Sequence, residues 1–203
     1  MGNWALLAAF AGCFVLVIVT PMARLKRRTG EWGLALARRG GARGAEEAMI
    51  GGLLGFWLLA ALGWAAACAA LGPRALGVWR APAAVGAAGW ALIAAGLALT
   101  ALAQAQMGAS WRIGIDARAT PLVTSGLYHA TRNPIYAAMA LALAGAVLVT
   151  PCAWTVMAWL AIAQAIAWQA RLEERHLAAL HGDRFRAYAA RVGRFVPLVG
   201  RLR

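Results

Sequence analysis

The sequence predicts an all-α protein, an integral membrane bundle of about five transmembrane helices with a cytosolic C-terminal helical extension. Three observations lead there. The chain of 203 residues is 63% hydrophobic and 13% charged, far from the half-apolar, quarter-charged balance of a soluble domain. Five stretches, 3–22, 48–71, 82–106, 134–150 and 152–170, have the apolar character that a helix needs to cross a hydrocarbon core of about 30 Å. The basic residues fall in alternate connections between those stretches, and Lys and Arg are retained on the cytoplasmic side of a membrane.

Taken in order, the first stretch begins MGNWALLAAF, with no positive region ahead of it, and the basic cluster RLKRR follows it. That order predicts a retained helix rather than a cleaved signal. Residues 29–47, with paired arginines flanked by glycines, read as an interfacial linker. The second and third helices are joined by a short connection at 72–81. The fourth and fifth are separated only by Thr150 and Pro151. A proline that cannot continue the preceding helix but suits the first turn of the next one predicts a tight helical hairpin. The fifth helix continues past its apolar span through good helix formers to Gly182, an expected stop. A second short helix follows, whose Phe185, Tyr188 and Val192 share one face at i, i+3 and i+7.

If the first helix runs from outside to inside, 18 of the 20 basic residues are cytoplasmic. The expectation is an N-terminus outside and a C-terminus in the cytoplasm. Arg is used 19 times and Lys once, with Ala and Gly abundant, so the protein is placed in a bacterial inner membrane. The formal charge of +13 is accounted for by topology and by attraction to anionic headgroups, and no motif for nucleic acid accompanies it. Cys13, Cys68 and Cys152 lie within or at the ends of apolar spans and read as small buried hydrophobes, with no disulfide and no metal. The chain is one domain over 1–203, with three N-terminal helices in 1–106 and a more polar half in 107–203.

Chemistry-capable side chains gather in that second half. The stretch TSGLYHATRNPIYAAM, residues 124–139, packs Tyr128, His129, Arg132, Asn133, Pro134 and Tyr136 into an otherwise apolar chain. Taken singly these have bland readings. Asn is a favoured N-cap and Pro a favoured first helical residue, and Trp111 beside Arg112 is what a chain at headgroup level looks like. Glu173 and Glu174, just beyond the fifth apolar span, are a solvated helical pair with Arg171 and Arg175 or else part of a site. Adjacent helical residues point about 100° apart, so the two glutamates are expected to differ.

GLYHATRNPIYAAM resembles the Gly-x-Tyr-x-x-x-Arg-His-Pro-x-Tyr segment of the isoprenylcysteine carboxyl methyltransferase and phospholipid methyltransferase group. EERHLAALHGDRFRAYAARVGRFVP is similar to the Glu-Glu-x-x-Leu segment of that group, which runs on through Val-x-Arg-x-x-Pro. The resemblance covers residues 107–197 and implies an integral membrane enzyme that binds S-adenosylmethionine on its cytosolic side and methylates an amphiphilic, lipid-like acceptor. It implies cofactor binding by Gly126, Tyr128, Arg132, Asn133, Pro134, Tyr136, Glu173 and Glu174; Arg132 and Glu174 are expected nearest the chemistry, with Arg112, from its own charge and place, an outside catalytic candidate for the substrate's headgroup. Asn133 stands where the family usually has His, and Ala137 and Ala138 where a Gly often follows the second Tyr.

Such a cofactor needs a cation for its carboxylate and acceptors for its ammonium and ribose, for which Arg132 and the two glutamates are the right types. Two other classes share the helical pattern. A membrane reductase of the sterol reductase type would bind NADPH, and a non-catalytic membrane protein would use the polar residues only as caps. Methylation of a small thiol is the remaining variant of the first reading.

Overall fold

A computed structural model of the protein describes residues 4–30, 42–110 and 121–202. Arg112 and Trp111, and residues 31–41 of the expected linker, lie outside the described residues. Within them the chain is helical and contains no β-strand, apart from one isolated parallel bridge between Thr131 and Gly193. The helices are α1 (Trp4–Phe14), α2 (Thr20–Thr29), α3 (Ala42–Leu71), α4 (Ala83–Met107), α5 (Leu127–Ala130), α6 (Pro134–Val149), α7 (Ala153–His181) and α8 (Asp183–Arg191). Each of the five apolar stretches lies on these helices. One of them, α4, is by itself long and apolar enough to cross a membrane, and Leu59–Leu71 and Pro134–Val149 are shorter apolar segments.

A π-helical turn, Val15–Val19, joins α1 to α2. Pro21 has no N–H to offer the carbonyl of Val17 four residues earlier. That buried carbonyl instead accepts from Gln104 Nε2 at 2.8 Å, which ties the first helix to the polar end of α4.

Helices α4 and α6 pack through small residues. A methyl group on Gly96 would come within 2.6 Å of the Ala138 carbonyl oxygen, and one on Gly145 within 2.5 Å of that of Gly89. Apolar helices in lipid gain little from hydrophobic contact with one another, so close backbone approach and dispersion must hold them. At one end of this pair the two short connections meet, since Trp79 N donates to the Pro151 carbonyl at 2.8 Å. The same end carries the hairpin turn. There the expected role of Pro151 needs correcting, because it precedes the helix cap instead of occupying the first turn. Cys152 is the cap, and its side chain and Thr155 bond each other's backbone N–H reciprocally, so the α7 start is satisfied without proline.

The opposite end is polar. Helix α7 runs 29 residues and stops at Gly182, whose φ of +53° a side chain would resist. Helix α8 turns back, and Phe185, Tyr188, Ala189 and Val192 form a buried cluster with Leu122, Leu177 and Ala178 beside it. The apolar face read from the sequence therefore lies on the protein.

Candidate functional site

The site is assembled where α6 begins. Gly126, at φ +61°, lets the chain turn against Gln106 of α4, whose Oε1 accepts from Leu127 N at 2.8 Å; a Cβ at Gly126 would sit 2.4 Å from that oxygen. The close approach that this glycine permits is made to Gln106. Tyr128 is buried, its hydroxyl donating to the Ala103 carbonyl at 3.4 Å and its own carbonyl accepting from Tyr188 Oη at 2.6 Å. Burial pushes the Tyr128 phenol well above its ordinary range and that of Tyr188 up to about 12, so both hydroxyls are neutral donors at any physiological pH.

Arg132 and Asn133 follow the extended residue Thr131 and pair with the C-terminal segment. Arg132 N donates to the Gly193 carbonyl at 2.8 Å and Asn133 N to that of Arg194 at 3.1 Å. The Arg132 guanidinium is buried. Its Nε donates to Glu174 Oε1 at 3.0 Å, Nη1 to the carbonyls of Ala189 (3.0 Å) and Val192, and Nη2 to the carbonyl of Gly200 at 2.9 Å. Asn133 is the N-cap of α6 by position, with Pro134 in the first turn, yet its side chain makes no cap bond. Instead Nδ2 donates to Glu174 Oε1 at 3.1 Å. The capping reading of the pair is therefore half right, with the proline preset for the helix and the amide turned to a carboxylate.

Glu174, 6% exposed, is the centre of this arrangement. Besides Arg132 and Asn133, it is gripped by Arg194, whose Nε lies 3.1 Å from both carboxylate oxygens and whose Nη2 donates to Oε2 at 2.8 Å. Burial works to raise the carboxyl pKa, but hydrogen bonds from Arg194 and Arg132 outweigh it and hold the group below the usual carboxylate value. The same bonds push the Arg194 guanidinium up. Glu174 is thus an anion at neutral pH, held between two cations. Its neighbour has another environment. Glu173 is half-buried, and its Oε1 accepts from Tyr136 Oη at 2.5 Å and from Gln169 Nε2 at 2.9 Å.

Five of the residues picked from the sequence therefore meet in two adjoining clusters: Arg132, Asn133 and Glu174 in one, Tyr136 and Glu173 in the other. Gly126 and Tyr128 pack against α4 and α8, and Pro134 is buried as the first residue of α6. Three contributors were not singled out. Arg194 sits in the Val-x-Arg stretch of the C-terminal motif, Gln169 lies one helical turn before Glu173, and Tyr188 has a hydroxyl that its apolar neighbours conceal. Among the described residues no group of His, Cys, Asp and Glu could hold a metal ion.

Residues 85–184 match the family model described as phospholipid methyltransferase. Over that stretch, just under half of its length, the chain is similar to the phospholipid methyltransferase family. The likeness suggests methyl transfer as the chemistry and lipid-like molecules as its acceptors. No curated protein and no solved structure matched the chain. The phospholipid methyltransferase segment opens two residues into α4 and closes just inside α8, so it holds both clusters except Arg194. It takes in α4, which the two sequence motifs do not reach, and leaves out the C-terminal segment that Arg132 grips.

Proposed function

We propose that the protein is an integral membrane enzyme of about five spans that transfers a methyl group from S-adenosylmethionine to an amphiphilic, lipid-like acceptor at the cytosolic face. The observation that carries this reading is the placement of two unlike carboxylates within the family segment, at the polar end of its apolar helices. The cofactor supplies a methyl already activated on a sulfonium, so the protein's task is to bind, orient and exclude water.

The donor chemistry fits such a group with the roles divided. Arg132 spends its Nε and both Nη atoms on Glu174 and on backbone carbonyls, so we assign it to positioning and not to direct contact with the cofactor carboxylate. Glu174, saturated by three side chains, belongs to the same clasp. Glu173, half-buried and oriented by Tyr136 and Gln169, is the carboxylate assigned to ligand ammonium or hydroxyl groups. Asn133, the N-cap of α6, and Tyr136, in its first turn, complete that wall, with an amide where the family usually has an imidazole. Turnover should therefore follow the acceptor's own ionisation. Arg112 stays a candidate for the acceptor's headgroup.

Glu173→Gln tests the assignment, since it removes the charge and leaves a side chain of the same size. The expected result is a loss of S-adenosylhomocysteine binding by calorimetry with an unchanged melting temperature. Undiminished affinity would remove Glu173 from the site. Labelled S-adenosylmethionine with a lipid extract identifies the acceptor, and stabilisation by NADPH in place of S-adenosylhomocysteine would favour the reductase reading.

A further inference from the structure

The C-terminal segment has a second face that the site does not use. Residues 184–203 contain six arginines and no acidic residue. After α8 the chain makes a turn closed by Arg194 N to the Val199 carbonyl at 2.8 Å and Val199 N to the Val196 carbonyl at 3.1 Å, and Leu202 N returns to Ala189 at 3.0 Å. This turn presents its apolar side chains outward, with Val196 56%, Leu198 66% and Val199 63% exposed and Leu202 37%. Leu198 is held at φ +68°, where among the described residues no other non-glycine lies. A side chain with a Cβ is strained in left-handed backbone. The conformation is held by Arg132, which grips the carbonyls of Ala189, Val192 and Gly200 on either side. Exposed Arg191 and Arg201 flank the apolar side chains.

We infer that this turn is an interfacial anchor, its apolar tip seated among the headgroups and upper acyl chains of an anionic leaflet and its arginines paired with lipid phosphates. Two features specify that occupant. Water-exposed aliphatic side chains gain by entering the headgroup boundary, and the exposed Arg191 and Arg201 beside them are complementary to an anionic surface. The turn also stands at the right height, because its backbone is bonded to Thr131, Arg132 and Asn133, the residues immediately before the apolar helix α6. Seating the turn on the leaflet would hold down the same segment from which Arg194 reaches Glu174, so membrane contact and the order of the clasp are coupled. The inference rests on the membrane reading of the helices given above.

The experiment uses the full chain with its three native cysteines replaced, a single cysteine introduced at Leu198 or at Val196, and an environment-sensitive fluorophore attached. Two positions are used because Leu198 occupies strained backbone. The protein is reconstituted into vesicles of phosphatidylcholine alone or mixed with phosphatidylglycerol, each carrying shallow or deep spin-labelled quencher lipids. A label at Leu99, on the exposed side of α4, serves as the control. The expected result is a blue shift and strong shallow quenching at 196 and 198 in anionic vesicles, clearly weakened in neutral ones, with deep quenching at 99. Quenching at 99 without quenching at 196 and 198 overturns the anchor. Equal quenching in both lipids overturns the role of the anionic surface. Absence of quenching at 99 overturns the membrane reading itself.

Discussion

The two ends of α6 are held by opposite means. Toward the hairpin turn it meets α4 through Gly89, Gly96 and Gly145, where backbone lies against backbone and aliphatic side chains close the gaps. At the start of α6 the contacts are ionic and directional, with one buried carboxylate accepting from two arginines and an amide. The difference teaches what each environment can use. Between lipid-facing helices, where hydrocarbon surrounds both sides, only close approach distinguishes the right partner. Where the chain leaves that environment, charge can be concentrated if every donor is answered, and a half-answered cluster would be worse than none.

Breaking the ionic end should give the largest effect. Glu174→Ala leaves buried Arg132 and half-buried Arg194 without their anion, and removing one partner of a buried pair costs about 3–5 kcal/mol. The same change at Glu173 should cost much less stability. Denaturant unfolding of the purified protein, followed by tryptophan fluorescence, compares the two. Equal losses would mean that the clasp does not hold the fold.

Breaking the close-packed end should come next. Gly96→Ala places a methyl within 2.6 Å of the Ala138 carbonyl, and overpacking of this kind costs about 1–3 kcal/mol. Gly86, beside which a Cβ meets nothing within 4 Å, is the matched control on the same helix and should tolerate Ala with little change in melting temperature. Similar behaviour at both positions would contradict the seam.

Acid should sharpen the comparison, because only one end titrates. The folded-state pKa of Glu174 is depressed, so its contribution is fully present above the unfolded value of about 4.5 and is lost as pH falls through the lower folded value. Thermal stability should decline on acidification below about pH 4.5, and Glu174→Gln should flatten that decline. A Glu174→Gln profile parallel to the wild type would assign the acid sensitivity elsewhere.

The smallest expected effect is at Tyr188, whose hydroxyl donates to the Tyr128 carbonyl at 2.6 Å. Tyr188→Phe keeps the apolar cluster and loses one buried hydrogen bond, about 1 kcal/mol. A loss of several kcal/mol would show that the hydroxyl supports more than α5.

Much of this architecture was legible in the residues. Apolar length located the helices, Gly182 marked the end of α7, the pair Thr150 and Pro151 marked the hairpin, and the i, i+3, i+7 spacing of Phe185, Tyr188 and Val192 identified the buried face of α8. Those signals are local, because hydropathy, backbone freedom and helical period are properties of neighbouring residues. The motif segments also singled out Arg132, Asn133, Tyr136, Glu173 and Glu174 as a set.

What each residue of that set touches was decided only by the tertiary structure. Asn133 has the identity and position of a cap, yet its amide is drawn to Glu174, 41 positions away. Arg132 has the chemistry of an anion clamp, yet it spends its donors on three carbonyls of the C-terminal segment and on a carboxylate. Arg194 stood in the Val-x-Arg stretch of the motif with no role assigned, and its partner is set by the return of the chain from α8 to Thr131. A donor's partner is fixed by which acceptors the fold brings within about 3 Å, and long side chains satisfy the nearest buried charge first. The sequence by itself therefore determined the helices, the polar end and the family likeness, while the division of labour between two adjacent glutamates was set by packing.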